Sequence, residues 1–563
     1  MDVSRLPNHH PVPWDTHFEA MALGEMLART ARRTPAAPLL QFLGRTYCYA
    51  EILREAQAFA HALMARGIAP GDRVGLFLPN VPSYVAAYYG ATMAGAVVVN
   101  FSPLYSVEEL AHQVGDSGTR LLVTVDVPEL YATAEKVLHG SALETLVVSS
   151  LAQMLPRLKG LALRLFARSK VAKVAFSDSI IGWRDLLVEV NWGLFLEGKL
   201  PDLPSIDPHS LALLQYTGGT TGTPKGAMLT HANLSINAQQ TAGLNPFGNP
   251  ASEVLMGALP FFHVFANTTL LNHAVMTGAS IAMVPRFETK QVLQTIEKYG
   301  STGFPGVPTM FQALLDHPDL AKTDLSTLKV CISGGAPLPG PLREKFEAAT
   351  GVRLVEGYGL TESSGVVSAN PYQGMRKPGT IGQVVARTEV LLLDKEDPSV
   401  IVPDGVPGEL ALHGPQMMQG YWNRPEATKE VFVEHHGKRW LRTGDVATLD
   451  EDGFLEIVDR IKDMIAVGGF KVFPSQVEDV LLDHPAVKEA LVIGRPDAYH
   501  GEIPVAYVTL NAGSAATGDE LKAWLNTRVG KHERAGDVVI RSELPKTMIG
   551  KLDRKALRAE LQD

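Results

Sequence analysis

Residues 73–103, RVGLFLPNVPSYVAAYYGATMAGAVVVNFSP, decide the fold. Arg73 to Leu78 is an apolar run of strand length, a helix opens near Pro82, and Ala96 to Phe101 is a second apolar run, rich in valine. Strand, helix and strand in about thirty residues make a βαβ unit, the usual way to join two parallel strands. The pattern recurs outward from it. RLLVTV (120–125), LALLQYT (211–217), EVLMGALP (253–260), SIAMVP (280–285) and LKVCISGG (328–335) are short apolar runs, separated by helix-like stretches such as Lys290 to Tyr299. Such alternation implies α/β architecture with largely parallel sheets.

The chain has 563 residues, too many for one core and enough for about two to four domains. Beyond about Val384, TEVLLLDKEDPSVIVPDGVPGELALHG changes texture to short strands and turns, a β-rich subdomain. Charges at Asp459, Arg460, Lys462 and Asp463 mark a second change. The residues after it suffice for a small domain with strands (ALVIGRP, PVAYVTL) and helices (Ser475 to Asp483, Asp519 to Thr527). The expected architecture is therefore a large N-terminal domain, 1–458, of two α/β subdomains plus a β-rich one, followed by a small α+β domain, 459–563.

Composition excludes several roles. The chain is 45% hydrophobic and 20% charged, an ordinary globular balance, and its net charge of -9 argues against coating a nucleic acid. Cys48 and Cys331 are its only cysteines, which leaves no disulfide framework or Cys-based metal site and suits a reducing cytoplasm. The N-terminus has no apolar core of a signal peptide, and no apolar run reaches the length of a membrane span. His9 and His10 lie in a Pro-rich arm and read as solvated.

One stretch is unlike its surroundings. Residues 151–173 hold Arg157, Lys159, Arg164, Arg168, Lys170 and Lys173, with no acidic residue between Glu144 and Asp178. Leu151, Met154, Leu158, Leu161 and Leu165 recur at helical spacing, so a basic amphipathic helix is expected. Its simpler reading is a helix docked on its own domain, because Pro156 and Gly160 weaken a free-standing one. The alternative is peripheral association with the inner face of an anionic membrane.

The chemistry gathers around YTGGTTGTPKG (216–226). It is not the usual P-loop, since Lys225 follows a proline and precedes a glycine, yet its glycines, hydroxyls and lysine are the parts of a phosphate cradle. The bland reading is a polar hairpin tip. Further motifs follow in order: LPFFHVFA (259–266), SGGAPLP (333–339), EGYGLTES (356–363), GELALHGPQMMQGYWNRPEAT (408–428), WLRTGDV (440–446), DRIKDMIAVGGFKVFP (459–474) and LPKTMIGK (544–551). In this order they resemble the acyl-adenylate-forming superfamily of acyl-CoA synthetases, peptide-synthetase adenylation domains and firefly luciferase. Within it the chain most resembles bacterial long-chain fatty-acid–CoA ligases.

That resemblance implies two steps. A carboxylate attacks the α-phosphate of Mg-ATP to give acyl-AMP and pyrophosphate, and the thiol of CoA then displaces AMP. By the family pattern, Thr217, Gly218, Gly219, Thr220, Thr221 and Gly222, with Lys225, wrap the β- and γ-phosphates. Glu362 matches the magnesium ligand, a fitting donor for a hard cation that keeps several waters. Thr361 matches the hydroxyl on the α-phosphate. Gly335, Ala336, Pro337, Gly357 and Tyr358 resemble the adenine pocket, and the resemblance counts Glu356 and Gly359 among the nucleotide-binding residues. Asp445 is the expected acceptor for the ribose hydroxyls, with Arg460 reaching the same ribose. Lys551 bridges the incoming carboxylate and the α-phosphate.

His263 and Phe265 match residues near the carboxylate and acyl pocket. Gly359 stands where acetyl-CoA synthetases carry tryptophan, so the expectation is an open tunnel for a medium- to long-chain acid; an aryl or dicarboxylic acid is the alternative. The small domain is expected to swing about Lys462, removing Lys551 and presenting Gly468 and Gly469 to the pantetheine arm. Three positions depart from the common pattern: Glu356 for glutamine, Ile549 for a small hydroxyl residue and Ala535 for proline. A separate carrier protein remains open as thiol donor, as do a homodimer and the chain-length preference. A non-catalytic nucleotide-binding relative is the rival from another class.

Overall fold

The computed structural model describes residues 6–189, 200, 202–217, 224–403, 405–468, 470–497, 499–547 and 550–561. The opening stretch folds as its pattern requires: strand Arg73–Leu76, helix Pro82–Met93 and strand Val97–Asn100, the two strands parallel and adjacent. They lie inside an eight-stranded sheet whose central strands run parallel. At one edge Leu211–Thr217 turns back antiparallel into Lys225–Thr230, which pairs with Gly420–Tyr421.

A nine-stranded sheet forms the second layer. Leu354–Tyr358, Val330–Gly334, Gly303–Gly306, Val254–Gly257 and Ser280–Met283 are parallel neighbours within it. Its far edge is supplied from the start of the chain: Pro38–Phe42 runs parallel to Ser280–Met283, with Leu40 opposite Ile281. The third sheet is antiparallel and holds Glu389–Leu393, Gly408–His413, Lys438–Leu449, Phe432–His435 and Leu455–Arg460. The fourth comprises Ile465–Val467, Phe470–Val472, Val487–Asp497, Gly501–Leu510 and Asp537–Ile540. The boundary expected at Asp459 thus falls inside a strand of the third sheet, and the turn Ile461–Asp463, with Lys462, links it to the fourth.

Helix Pro82–Met93 is apolar all round and every one of its residues is buried, as befits an element wedged between layers. Three tyrosines give it direction. Tyr84 donates to the Phe261 carbonyl (2.9 Å), Tyr88 to Asn267 (3.1 Å) and Tyr89 to Asn272 (2.9 Å). Asn80, just before the helix, donates to the Leu259 carbonyl and accepts from Phe261 N–H. A fully buried phenol without a partner would cost about 1–3 kcal/mol, so these bonds fix where segment 259–272 lies against the first sheet. That segment carries His263 and Phe265.

The N-terminal arm departs from expectation. His10 is buried, its Nε2 lies 3.2 Å from the Gln383 carbonyl, and burial pushes its pKa down to about 4. The adjacent amide of His9 donates to the Gln383 side chain. The arm is therefore packed onto the β-rich region rather than solvated.

Helix Arg157–Phe166 forms where expected, but its leucines divide. Met154 is buried in the body and Leu151 packs against it, whereas Leu158, Leu161 and Leu165 are exposed. The docked reading accounts for the first pair alone. Among the described residues no helix is long and apolar enough to cross a membrane.

Candidate active site

Tyr358, Asp445, Arg460, Gly335, His263 and Lys551 come together where the ends of strands Val330–Gly334 and Leu354–Tyr358 meet the third sheet and the last domain. Asp445 and Arg460 sit opposite each other on paired antiparallel strands, and the guanidinium Nε lies 2.7 Å from the carboxylate. Asp445 is almost wholly buried, while about half of the Arg460 side chain stays exposed. Tyr358, from the end of a parallel strand, donates its hydroxyl to the other Asp445 oxygen. Burial, reinforced by this carboxylate, pushes the Tyr358 phenol far above its usual range, so it remains a donor. The result is a buried carboxylate clamped between a tyrosine and an arginine.

Lys551 enters from the fourth-sheet domain. Its loop is closed by Thr547, whose hydroxyl accepts from Lys551 N–H (3.2 Å) and whose N–H donates to the Lys551 carbonyl (2.6 Å). The loop rests on the large domain, since Thr309 Oγ1 donates to the Gly550 carbonyl (3.0 Å). The lysine stem lies over Gly335: a Cβ there would come 2.8 Å from its Cε. Gly335 also has φ +83°, a second reason for glycine at this position. Burial, and then the nearby Arg460 charge, lowers the Lys551 pKa to about 8, opposed by Asp445. Burial also pushes His263 down to about 3, helped by the Lys551 cation, so its imidazole is neutral. Its Nδ1 accepts from Phe265 N–H (3.3 Å).

A second group surrounds Tyr421. Its hydroxyl donates to Glu362 Oε1 (2.6 Å), and the Lys225 ammonium lies 5.3 Å from its ring centroid. Tyr421 can do both because its short strand pairs with Lys225–Thr230. Glu362 follows Thr361 in a 3-10 turn just past Tyr358. Thr217 is the last residue of its strand, opposite Lys225. Tyr216 anchors the base of this hairpin by donating to Asp116 (2.6 Å), which also pairs with Arg424 (2.7 Å). The calls on Gly218, Gly219, Thr220, Thr221, Gly222, Gly469 and Ile549 lie outside the described residues.

Glu362 Oε2 accepts no hydrogen bond among the described residues, and no trio of His, Cys, Asp or Glu there could hold a metal by itself. One carboxylate oxygen beside a lysine hairpin fits a magnesium ion that takes its other ligands from phosphate and water. Glu356 accepts from Leu338 N–H (3.1 Å), and burial, with the Asp479 charge adding to it, raises its pKa to about 8. Burial thus favours its neutral form, which carries a donor as glutamine does. Ala336 and Pro337 follow Gly335 in the loop after Val330–Gly334, and Gly357 pairs with Gly334 on the neighbouring strand. Gly468 has φ +56° and donates to the His500 carbonyl. Ala535 is buried in the fourth-sheet core, and its N–H donates to Asn526 (2.9 Å), a bond that proline could not make.

The expectation that Gly359 opens a tunnel fails. A Cβ at this position would fall 2.0 Å from the Gly365 carbonyl oxygen and 3.0 Å from Val366 Cα. Glycine is required because two backbone segments touch. The cavity is elsewhere. Phe265 packs against Gly334, and one turn further Thr269 lines a cavity with Leu255, Pro305, Ile332 and Tyr372. Glu253 and His273 reach the same cavity, paired at 3.3 Å, with Asn245 donating to Glu253 (2.6 Å). Sequence reasoning missed Tyr421, Thr309 and this polar pair. Tyr421 lay inside a quoted motif, whereas Thr309 and Glu253 carry no local signal.

A buried carboxylate, a glycine-lined loop and a lysine carried in from the last domain come together here, and the chain belongs to the AMP-binding enzyme family. The family's model matches residues 27–422, and the model of the AMP-binding enzyme C-terminal domain matches 476–551. A long-chain-fatty-acid–CoA ligase of Bacillus subtilis is 37% identical over 556 residues, covering 99% of this chain and 96% of that protein. Among solved structures, ATP-bound MatB from Rhodopseudomonas palustris matches with TM-score 0.83 and 26% identity over 96% of this chain and 99% of its own. The anthranilate CoA ligase AuaEII, in complex with anthranoyl-AMP, matches with TM-score 0.84 and 26% identity, covering 97% and 99%.

Proposed function

We propose that the protein is an AMP-forming acyl-CoA ligase for a medium- to long-chain fatty acid. The observation that carries this reading is Lys551 delivered over Gly335 toward Asp445, Arg460 and His263. ATP binds with its ribose on Asp445, steadied by Tyr358 and Arg460, and its outer phosphates on the Thr217–Lys225 hairpin. Glu362 would hold a magnesium ion, whose charge would offset that of the phosphates and of the departing pyrophosphate. Thr361 donates to the α-phosphate. Neutral His263 can donate to an anionic carboxylate without competing for its charge. Lys551 offsets the repulsion as carboxylate oxygen attacks phosphorus, an electrostatic role for a preorganised cation. Once acyl-AMP has formed, the last domain turns about Lys462, withdraws Lys551 and brings Gly468 and Gly469 to the CoA arm.

The cavity lined by Leu255, Pro305 and Ile332, with Glu253 and His273 on its polar wall, lies a turn beyond Phe265 and is the proposed start of the acyl path. Each buried CH₂ adds about 0.8 kcal/mol, so chain length is rewarded until the cavity ends. Likeness to a bacterial long-chain ligase over nearly the whole chain supports the same substrate class. A second reading draws on Glu253, His273 and Asn245: these acceptors and donors suit an aryl acid bearing a hydroxyl or amino group. Glu253 would repel a second carboxylate, which counts against dicarboxylic acids. The test is ATP-, magnesium- and CoA-dependent pyrophosphate release across a panel of acids. Turnover is expected to rise with alkyl length; no release with any acid would sink the ligase reading, and preference for a hydroxylated aryl acid would favour the second.

A further inference from the structure

Helix Arg157–Phe166 turns its apolar side chains outward. Leu158 is 83% exposed, Leu161 55%, Leu165 50% and Phe166 87%, while Gly160 is its single buried residue. At about 100° per residue, Leu158, Leu161 and Leu165 fall within roughly 60° of arc, on the side away from Gly160. Gly160 holds the helix to the body by close backbone contact: a Cβ there would meet the Ala152 carbonyl oxygen at 2.2 Å. Lys159 adds a tie to the Leu43 carbonyl (3.0 Å). The helix is thus fixed along one edge and bare along the other.

Charge says what suits the bare edge. Arg157 and Arg164 flank the leucines on one side of the helical arc and Lys159 on the other, with Arg168, Lys170 and Lys173 following. Asp126, the acid on which the Arg164 charge acts, is buried rather than placed at the surface. A second copy of this face would bring cations against cations. Leucines flanked by cations match the boundary between acyl chains and anionic headgroups. We propose that this face docks the protein on an anionic phospholipid bilayer, with the leucines at the acyl boundary and the cations among the headgroups.

The test is sedimentation with vesicles of phosphatidylcholine alone or mixed with phosphatidylglycerol, without substrates, so that its failure leaves the ligase reading untouched. Wild-type protein should partition onto the mixed vesicles and be released at high salt. Each cation removed, as in Arg157→Ser or Arg164→Ser, should weaken partitioning about fivefold. The double change Leu161→Ser and Leu165→Ser should weaken it at least tenfold. These side chains are exposed, so unchanged thermal unfolding and unchanged turnover of a soluble short acid will show an intact fold. Equal binding to neutral vesicles, or full binding by either variant set, overturns the proposal. So does absence of vesicle binding together with a concentration-dependent dimer that the leucine changes abolish, which would assign the face to a second copy.

Discussion

Glu362 and Lys551 are both assigned to ATP, yet one is fixed in the large domain and the other is carried in by the last. Glu362 is held by Tyr421, whose strand is hydrogen-bonded into the first sheet, and the hairpin beside it is tied down through Tyr216, Asp116 and Arg424. Lys551 arrives on a loop that meets the large domain at Gly335 and through Thr309 to Gly550, and elsewhere its domain is joined by the exposed ion pairs Lys488 to Asp316 and Lys471 to Glu396. Surface ion pairs of this kind contribute only about 0–1 kcal/mol each. On the proposed mechanism, the group used throughout is tied into a sheet, and the group that withdraws comes from the domain that these ion pairs touch.

The sharpest way to break this contrast is Lys551→Ala. Pyrophosphate exchange into ATP should fall about 10²–10³-fold, the usual loss for one charge-stabilising donor. CoA thioester formation from supplied acyl-adenylate should stay within about twofold. Normal exchange with lost thioester formation would reverse the assignment. The pH dependence is the next largest effect. Docking takes the Lys551 pKa from the usual 10.5 down to about 8, so the docked form binds fewer protons, and docking by this group is favoured as pH rises through that window. The charge needed for catalysis is lost over the same range. Adenylation kcat/KM should therefore drop roughly tenfold per unit above about pH 8, although the domain docks more readily. Lys551→Arg should move that limb upward, and an unmoved limb would exclude Lys551 as its source.

On the fixed side, Tyr421→Phe removes one hydrogen bond to a carboxylate and should raise KM for Mg-ATP about tenfold, with no change in thioester formation. An equal effect on both half-reactions would mean that Tyr421 does not act through Glu362. The smallest effect belongs to the docking contacts. Thr309→Ala or Asp316→Ala should lower adenylation about two- to fivefold and leave the second half-reaction unchanged or faster, as competition kinetics would detect.

Much of this arrangement was legible in the sequence. The βαβ reading of residues 73–103 gave both strands and the helix, because valine runs and Pro82 act locally. The conjunction of Tyr358, Asp445, Arg460 and Lys551 followed from family resemblance, not from local chemistry. What stayed hidden depends on distant partners. Strands Pro38–Phe42 and Arg45–Cys48 are too short to announce that they complete the second sheet. Gly359 was misread because an absent side chain can mean open space or a touching backbone, and only the position of Gly365 decides. His10 was misread for the same reason, its cover coming from Gln383. The leucines of 151–173 share one periodicity but meet different surroundings, since Pro156 begins a new helix after Met154.

The pairing of Leu40 with Ile281 has a consequence for biosynthesis. As the chain leaves the ribosome, strand Pro38–Phe42 emerges early, but its parallel neighbour Ser280–Met283 follows only after the whole first sheet except Gly420–Tyr421 has been made. Until then an apolar hairpin waits without its template, which makes for slow maturation and an exposed edge open to misassociation. Nascent chains halted before Ser280 should therefore hold an unfinished second layer and bind chaperones at Pro38–Cys48, whereas those released after Met283 should lose that attachment.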